Sequence, residues 1–282
     1  PGAPEYQKYL IRQAKRLVRY IPSSSGICID RLDWLQLFNS HADDGIAWFE
    51  GAPARSLYNS WKDAMGKIGP WVHKKGKAIF VNPVSASRLD IMRHVDGIYD
   101  EHNDRGAALN ASIFLGMFKP IITWTSDENS LLPDPDFYFQ RFLYLGAFPT
   151  APFPDNNHSI RPGRFADSCY LSYGALFEAL AGRRWFLTPD VVRVQDNIAK
   201  VNIFQVDGAF IIPVMLAPKE RKDAIVTLDI DKVKIQIAGE VEVLLPGQNE
   251  VVSIKGNKVD KNKLLLKIPL KQGCALIRIR TA

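Results

Sequence analysis

The chain has 282 residues, 46% of them hydrophobic and 23% charged, which is enough apolar material for a large core and for one or two domains. Its net charge of +6 does not imply a nucleic-acid partner, because Lys and Arg are scattered and several (Lys232, Lys234, Lys261, Lys263) alternate along the C-terminal region as on a solvated face. No run approaches the roughly 18 apolar residues that span a bilayer, the opening PGAPEYQKYL lacks a signal pattern, and Cys28, Cys169 and Cys274 have no C-x-x-C spacing; a membrane partner, a zinc site and a disulfide scaffold are thereby disfavoured and the chain reads as soluble.

Tyr6, Leu10, Ala14, Leu17, Val18 and Ile21 recur as one face of a helix that Pro22–Gly26 ends. A short apolar strand, 26–30, follows and finishes on Asp30. A long polar loop leads to a helix with Leu57, Trp61, Ala64, Met65, Ile68 and Val72 on one face, and then to a strand at 78–82. Short helices near 86–93 and 107–117 alternate with strands at 96–101 and 120–124. A fifth apolar run, 142–148, precedes an amphipathic helix carrying Tyr173, Leu176, Phe177 and Leu180.

This alternation predicts parallel βα units over residues 1–187. Five strands are too few to close an eight-stranded barrel, and the first element is a helix. The expected fold is therefore α/β: the C-terminal part of a (β/α)8 TIM barrel, strands four to eight, with the remaining N-terminal barrel half needed as its partner. An open five-stranded sheet is the competing arrangement. Beyond residue 188 the helical period gives way to short alternating runs at 201–206, 209–216, 224–230, 233–238, 240–246, 250–255, 263–269 and 274–280, punctuated by Gly208, Gly239, Gly247, Gly256 and Gly273. They predict an all-β sandwich domain over 188–282.

In a parallel barrel the chemistry sits at the C-terminal strand ends, and strand parity says which side chains point inward. With Ile27 and Ile29 toward the helix layer, Cys28 and Asp30 turn inward. Ile79 and Val81 outward leave Asn82 inward. Ile98 outward puts Tyr99 and Glu101 inward and Asp100 to the side. Two carboxylates and an amide converge, as glycosidic cleavage requires: Asp30 as nucleophile, and Glu101 or Asp100 as proton donor.

The run Gly-Ile-Cys-Ile-Asp-Arg-Leu-Asp-Trp (26–34), with Asn82-Pro83, Asp96-Gly-Ile-Tyr-Asp-Glu101 and Gly273-Cys-Ala-Leu-Ile-Arg-Ile-Arg280, resembles the retaining α-glycosidases related to α-galactosidases. The resemblance implies a barrel with its nucleophilic Asp ending strand four, an acid/base carboxylate after strand six, a C-terminal β-sandwich and a carbohydrate substrate with no cofactor. Where those enzymes usually carry Lys two residues before the nucleophile, this chain has Cys28.

Around this core, Asp33, Trp34, Trp48, Asn82 and Trp124 are candidate substrate contacts. Asp33 is also a rival nucleophile, and Trp48 and Trp124 could equally serve packing. His41, Asp43 and Asp44 lack the ligand spacing of a metal site, so no metal is expected. His102 and Asp104 could tune Glu101, and Asp155 or His158 could reach a sugar hydroxyl. A non-catalytic glycan-binding protein and a carboxylate-metal lyase are the alternative readings. No nucleophile-elbow, phosphate-loop or dinucleotide fingerprint is present.

Overall fold

A computed structural model describes residues 2–32, 37–82, 89–101, 106–124, 131–154, 160–234, 241–260 and 262–281. By its internal contacts the chain forms two compact units, Pro1–Gly116 and Met117–Ala282.

The first unit contains α1 (Pro4–Tyr20), β1 (Gly26–Asp30), β2 (Phe38–Asn39), β3 (Ala47–Phe49), β4 (Ala52–Ser56), α2 (Leu57–Lys74), β5 (Ala78–Asn82), α3 (Leu89–Met92), β6 (Gly97–Asp100) and α4 (Gly106–Leu115). β1, β5 and β6 run parallel in that order; Asp30 pairs with Asn82, and Val81 with Ile98. This register aligns the strand ends, so the last residues of all three come together. The Ser56 hydroxyl caps α2 by accepting the Tyr58 N–H, and the face predicted from the 3.6-residue period is buried: Trp61, Ala64, Met65, Ile68 and Val72. α2 lies against β5, whose Ile79 and Val81 are fully buried beside Ile98 of β6. Gly97 is required where it stands, since a Cβ there would run into the Phe80 ring on the neighbouring strand. β1 pairs only with β5 among the described residues. Beside it, α1 and α2 leave an apolar cavity of about 590 Å³ lined by Leu10, Leu17, Ile27, Ile29 and Trp61 among others. The loop between β1 and α2 is itself folded, as a small antiparallel sheet in the order β2-β4-β3.

The second unit begins with β7 (Ile121–Thr123), α5 (Pro135–Leu145), β8 (Phe148–Pro149) and α6 (Arg164–Ala179), and β7 and β8 pair in parallel. The apolar run 142–148 expected as a strand is mostly the end of α5. Asp134 caps that helix by accepting the Phe137 N–H, Pro135 opens it, and Gly146 stops it in the left-handed region at φ 68°, leaving only Phe148 and Pro149 extended.

The rest is β-rich: β9 (Arg184–Trp185), β10 (Val192–Val194), β11 (Lys200–Val201), β12 (Phe204–Val206), β13 (Ala209–Met215), β14 (Asp223–Asp229), α7 (Ile230–Val233), β15 (Val241–Leu244), β16 (Val252–Ile254), β17 (Asn257–Asp260), β18 (Lys263–Pro269) and β19 (Ala275–Arg280). One sheet has the order β16-β15-β19-β13-β12-β9, with β11 also on β13, and the other β10-β14-β18-β17. Alternate residues of β14 and β18 (Val226, Leu228, Leu266, Ile268) share a buried core with Ile212, Val214 and Ile277 of the first sheet. Part of the strand expected at 233–238 is a turn of helix instead: Asp229 accepts the Lys232 N–H and Lys234 closes it at φ 53°. Residues 235–238 lie outside the described residues. Buried Gln140 ties α5 to the β-rich region, donating to the Gln272 carbonyl (2.7 Å) and accepting the Leu216 N–H (2.7 Å).

Candidate active site

The candidate site lies on the face of β1, β5 and β6 opposite the buried Ile79, Val81 and Ile98. Alternation places Cys28, Asp30, Phe80, Asn82, Tyr99 and Glu101 together on this face. Asn82 is its centre. Its Nδ2 donates to Asp30 Oδ1 at 3.0 Å and to Glu101 Oε1 at 2.8 Å. Two oxygens at these distances from one nitrogen can be separated by at most their sum, roughly 5.8 Å, which is below the about 6.5–9.5 Å carboxylate gap of inverting glycosidases.

The amide orientation follows from charge. Turned over, Asn82 would present its oxygen to both carboxylates. In the observed orientation that oxygen is buried and has no hydrogen-bond partner among the described residues, while the residue as a whole is 5% exposed. Asn82 therefore gives up one acceptor to make two charge-assisted bonds. Each carboxylate in turn has one oxygen engaged by the amide and a second, Asp30 Oδ2 and Glu101 Oε2, with no hydrogen bond among the described residues.

The strand tip is also fixed through the backbone. Arg31, immediately after Asp30, adopts φ 61°, a left-handed conformation that costs energy for a residue with a Cβ, and its N–H donates to the Asn82 carbonyl. This turn ends β1 at Asp30.

Below the carboxylates, Tyr99 is pushed up to about 12, by burial first and then by the negative charges of Glu101 and Cys28, so its phenol stays protonated at ordinary pH. Cys28 as a whole is exposed on the open strand, yet enough protein surrounds its thiol that burial, followed by Asp30 and Glu101, raises its pKa and keeps it a poor nucleophile.

Asp100 goes the other way. It lies on the Ile98 side of β6, is 3% exposed, and accepts a hydrogen bond from the Ser112 hydroxyl of α4. The helix layer holds it, so Glu101 is the carboxylate brought to Asp30. Trp48 sits on the β3–β4 hairpin and is 67% exposed. Trp124 follows β7 in the second unit and is half-buried. Asp33, Trp34, His102, Asp104, Asp155 and His158 lie outside the described residues. Asp43 and Asp44 are taken up by backbone N–H groups of their own loop, and no cluster of His, Cys, Asp and Glu among the described residues is arranged to hold a metal. No helix among the described residues is long and apolar enough to cross a membrane.

No known family matches the sequence, and no curated protein matches it. The fold is similar to that of solved glycoside hydrolases. An Anoxybacillus α-amylase is 10% identical with a TM-score of 0.51, the likeness covering 99% of this chain and 64% of that one. A maltogenic α-amylase from Thermotoga neapolitana is 11% identical (TM-score 0.49, 99% and 67% covered), and a family 30 xylanase from Clostridium acetobutylicum is 9% identical (0.48, 99% and 73%). This chain thus spans about two thirds of the length of the two amylases. At these identities the likeness is one of fold: a mixed α/β architecture with parallel strands, of the glycosidase kind.

Proposed function

We propose that this chain belongs to a glycoside hydrolase that acts with retention on an α-linked sugar, with Asp30 as nucleophile and Glu101 as acid/base. The observation that carries the reading is the single amide nitrogen shared by Asp30 and Glu101, which keeps one oxygen of each within roughly 5.8 Å of the other, short of the about 6.5–9.5 Å gap of inverting enzymes. In this reading Asp30 Oδ2 attacks the anomeric carbon while Glu101 gives a proton from Oε2 to the leaving oxygen. A glycosyl ester to Asp30 forms and the glycosidic C–O bond breaks. Glu101 then takes a proton from water, the water oxygen bonds to the anomeric carbon, and Asp30 leaves as carboxylate. No cofactor is needed for either step. Asn82 engages only one oxygen of each carboxylate, Asp30 Oδ1 and Glu101 Oε1, and so leaves the other of each for the reaction.

We further propose that residues 1–187 supply strands four to eight of a (β/α)8 barrel and residues 188–282 a sandwich that buttresses it. The edge of β1, unpaired among the described residues, and the apolar cavity beside α1 are where further strands would add, so in this reading turnover requires the N-terminal barrel half.

The test is a panel of aryl α-glycosides assayed with that half restored. The first-formed anomer should keep the substrate's configuration. Glu101→Gln should lower kcat/KM by about 10²–10⁴. Asp30→Gly should be inactive until azide is added, giving a glycosyl azide of inverted configuration. An inverted first product would refute retention. Sugar binding without turnover, undiminished in Asp30→Asn, would establish a non-catalytic glycan-binding protein instead.

A further inference from the structure

The hairpin between β1 and α2 has a feature that folding does not explain. Trp48 is 67% exposed and Ile46 73%, and Pro53, paired with Trp48 across the strands, is exposed as well. A tryptophan inside a long loop often pins that loop, but here other groups do so. Asp44 Oδ1 accepts the Ile46 and Ala47 N–H groups (3.0 and 2.7 Å), and its Oδ2 accepts the Ser56 N–H (2.8 Å) and the Asn59 amide (3.0 Å). One carboxylate thus ties the start of β3 to the end of β4 and the first turn of α2. The Ser56 N–H first, then Asn59 and the two hairpin amides, hold it well below the usual carboxylate range, against the opposing push of desolvation. Phe49 stacks on Phe38 at 5.0 Å, and Arg55 reaches the Asp43 carbonyl at 3.1 Å. None of these contacts uses the Trp48 ring.

From this we infer that the hairpin is a preformed glycan-stacking platform, with Trp48 as the contact and Asp44 as the residue that positions it, so that the chain engages saccharides of more than one sugar unit. The inference rests on the glycosidase reading for its ligand class. The hairpin is built into the connection that leaves β1 just after Asp30, at the end of the strands where the carboxylate pair stands. The ligand assigned to it is a sugar chain that extends from that pair along this end of the strands. The charge of the hairpin is compatible with this: Asp43, Asp44 and Glu50 outnumber Arg55, a net negative charge that opposes anionic lipid and nucleic acid and is indifferent to a neutral glycan. Nor is the patch large enough for a second copy of the chain. An aromatic side chain offers about 150–250 Å², against roughly 800 Å² per partner in a stable protein interface. A rigidly held indole suits the apolar C–H face of a pyranose, whose hydroxyls stay in water at the rim.

The experiment is native gel retardation of the chain by soluble neutral polysaccharides (amylopectin, galactomannan and xylan), with tryptophan emission recorded on titration and circular dichroism confirming that each variant is folded. Retardation by at least one polysaccharide is expected. Trp48→Ala should weaken it by about tenfold and Trp48→Phe by less, about 1.4 kcal/mol of stacking corresponding to a factor of ten. Asp44→Ala should remove the glycan-induced change in emission although the fold is intact, and Asp44→Asn, which keeps one acceptor oxygen, should restore part of it. Retardation unchanged in Trp48→Ala, no retardation by any of the three, or Trp48-dependent dimerisation or vesicle binding in its place would each overturn the inference. Trp48-dependent retardation without turnover by the completed barrel would keep the platform and refute the hydrolase. Asp30-dependent turnover with retardation indifferent to Trp48 would do the reverse.

Discussion

Replacing Asn82 with Leu separates the geometry of the carboxylate pair from the stability of the fold. Leu keeps the branched outline at Cγ and removes both donors together with the buried, unpartnered Oδ1. Hydrogen bonds to charged groups contribute about 1.5–3 kcal/mol each, but Asp30 is exposed and water replaces most of what it loses, so the cost falls mainly on half-buried Glu101. Against it, the variant no longer buries an unsatisfied oxygen, which costs about 1–3 kcal/mol. The two nearly offset, and urea unfolding should show a net destabilisation of no more than about 2 kcal/mol. Activity should respond differently. Without the shared donor the Asp30 and Glu101 side chains lose the contact they have in common, although the strand register still places their backbones, and a displacement of about 1 Å costs on the order of 10² in rate. The assay is kcat/KM of the completed barrel on an aryl glycoside beside a urea titration. A variant that unfolds at the parent's midpoint and turns over within about threefold of it would refute the idea that Asn82 sets the spacing. A loss of more than about 4 kcal/mol in stability would make Asn82 a structural residue first.

Asp100→Ala should behave oppositely: it strands the buried Ser112 hydroxyl and costs about 1–3 kcal/mol in urea unfolding, with kcat/KM changed by less than about threefold. A loss of 10² or more in activity would place Asp100 in the chemistry. Tyr99 should titrate near 12 when phenolate absorbance is followed with pH, and the Tyr99→Phe variant should lack that component. Because its folded pKa lies above the ordinary value of 10, the stability held by the neutral phenol is complete below pH 10 and is lost as pH rises toward 12. A Tyr99 that titrates with the exposed tyrosines would show that solvent reaches its phenol and would refute this expectation.

How much of this was legible beforehand depends on whether the deciding interaction is local. β1 and β5 stand at 26–30 and 78–82 as read from the sequence, because short β-branched and apolar runs ending on a polar residue have few other ways to bury their side chains. Parity then brought Asp30, Asn82 and Glu101 to one face without further information. The misread strand at 142–148 had its signals too: Asp134, Pro135 and Gly146 are a complete set of helix caps, and they outweigh an apolar run that fits helix and strand alike.

Other features depend on partners distant in sequence. Asp100 follows Ile98 toward the helices because Ser112, twelve residues on, awaits it there. Asp44 organises a hairpin through Ser56 and Asn59, which no spacing rule connects to it. The clamp of Asn82 on two carboxylates requires three strands in one register. The sequence by itself determined which residues form the strands and which of their side chains share a face, since alternation is a property of the extended backbone. Only the tertiary structure decided that a single amide spans Asp30 and Glu101, because a distance between strands is set by their pairing and by the groups that meet across it.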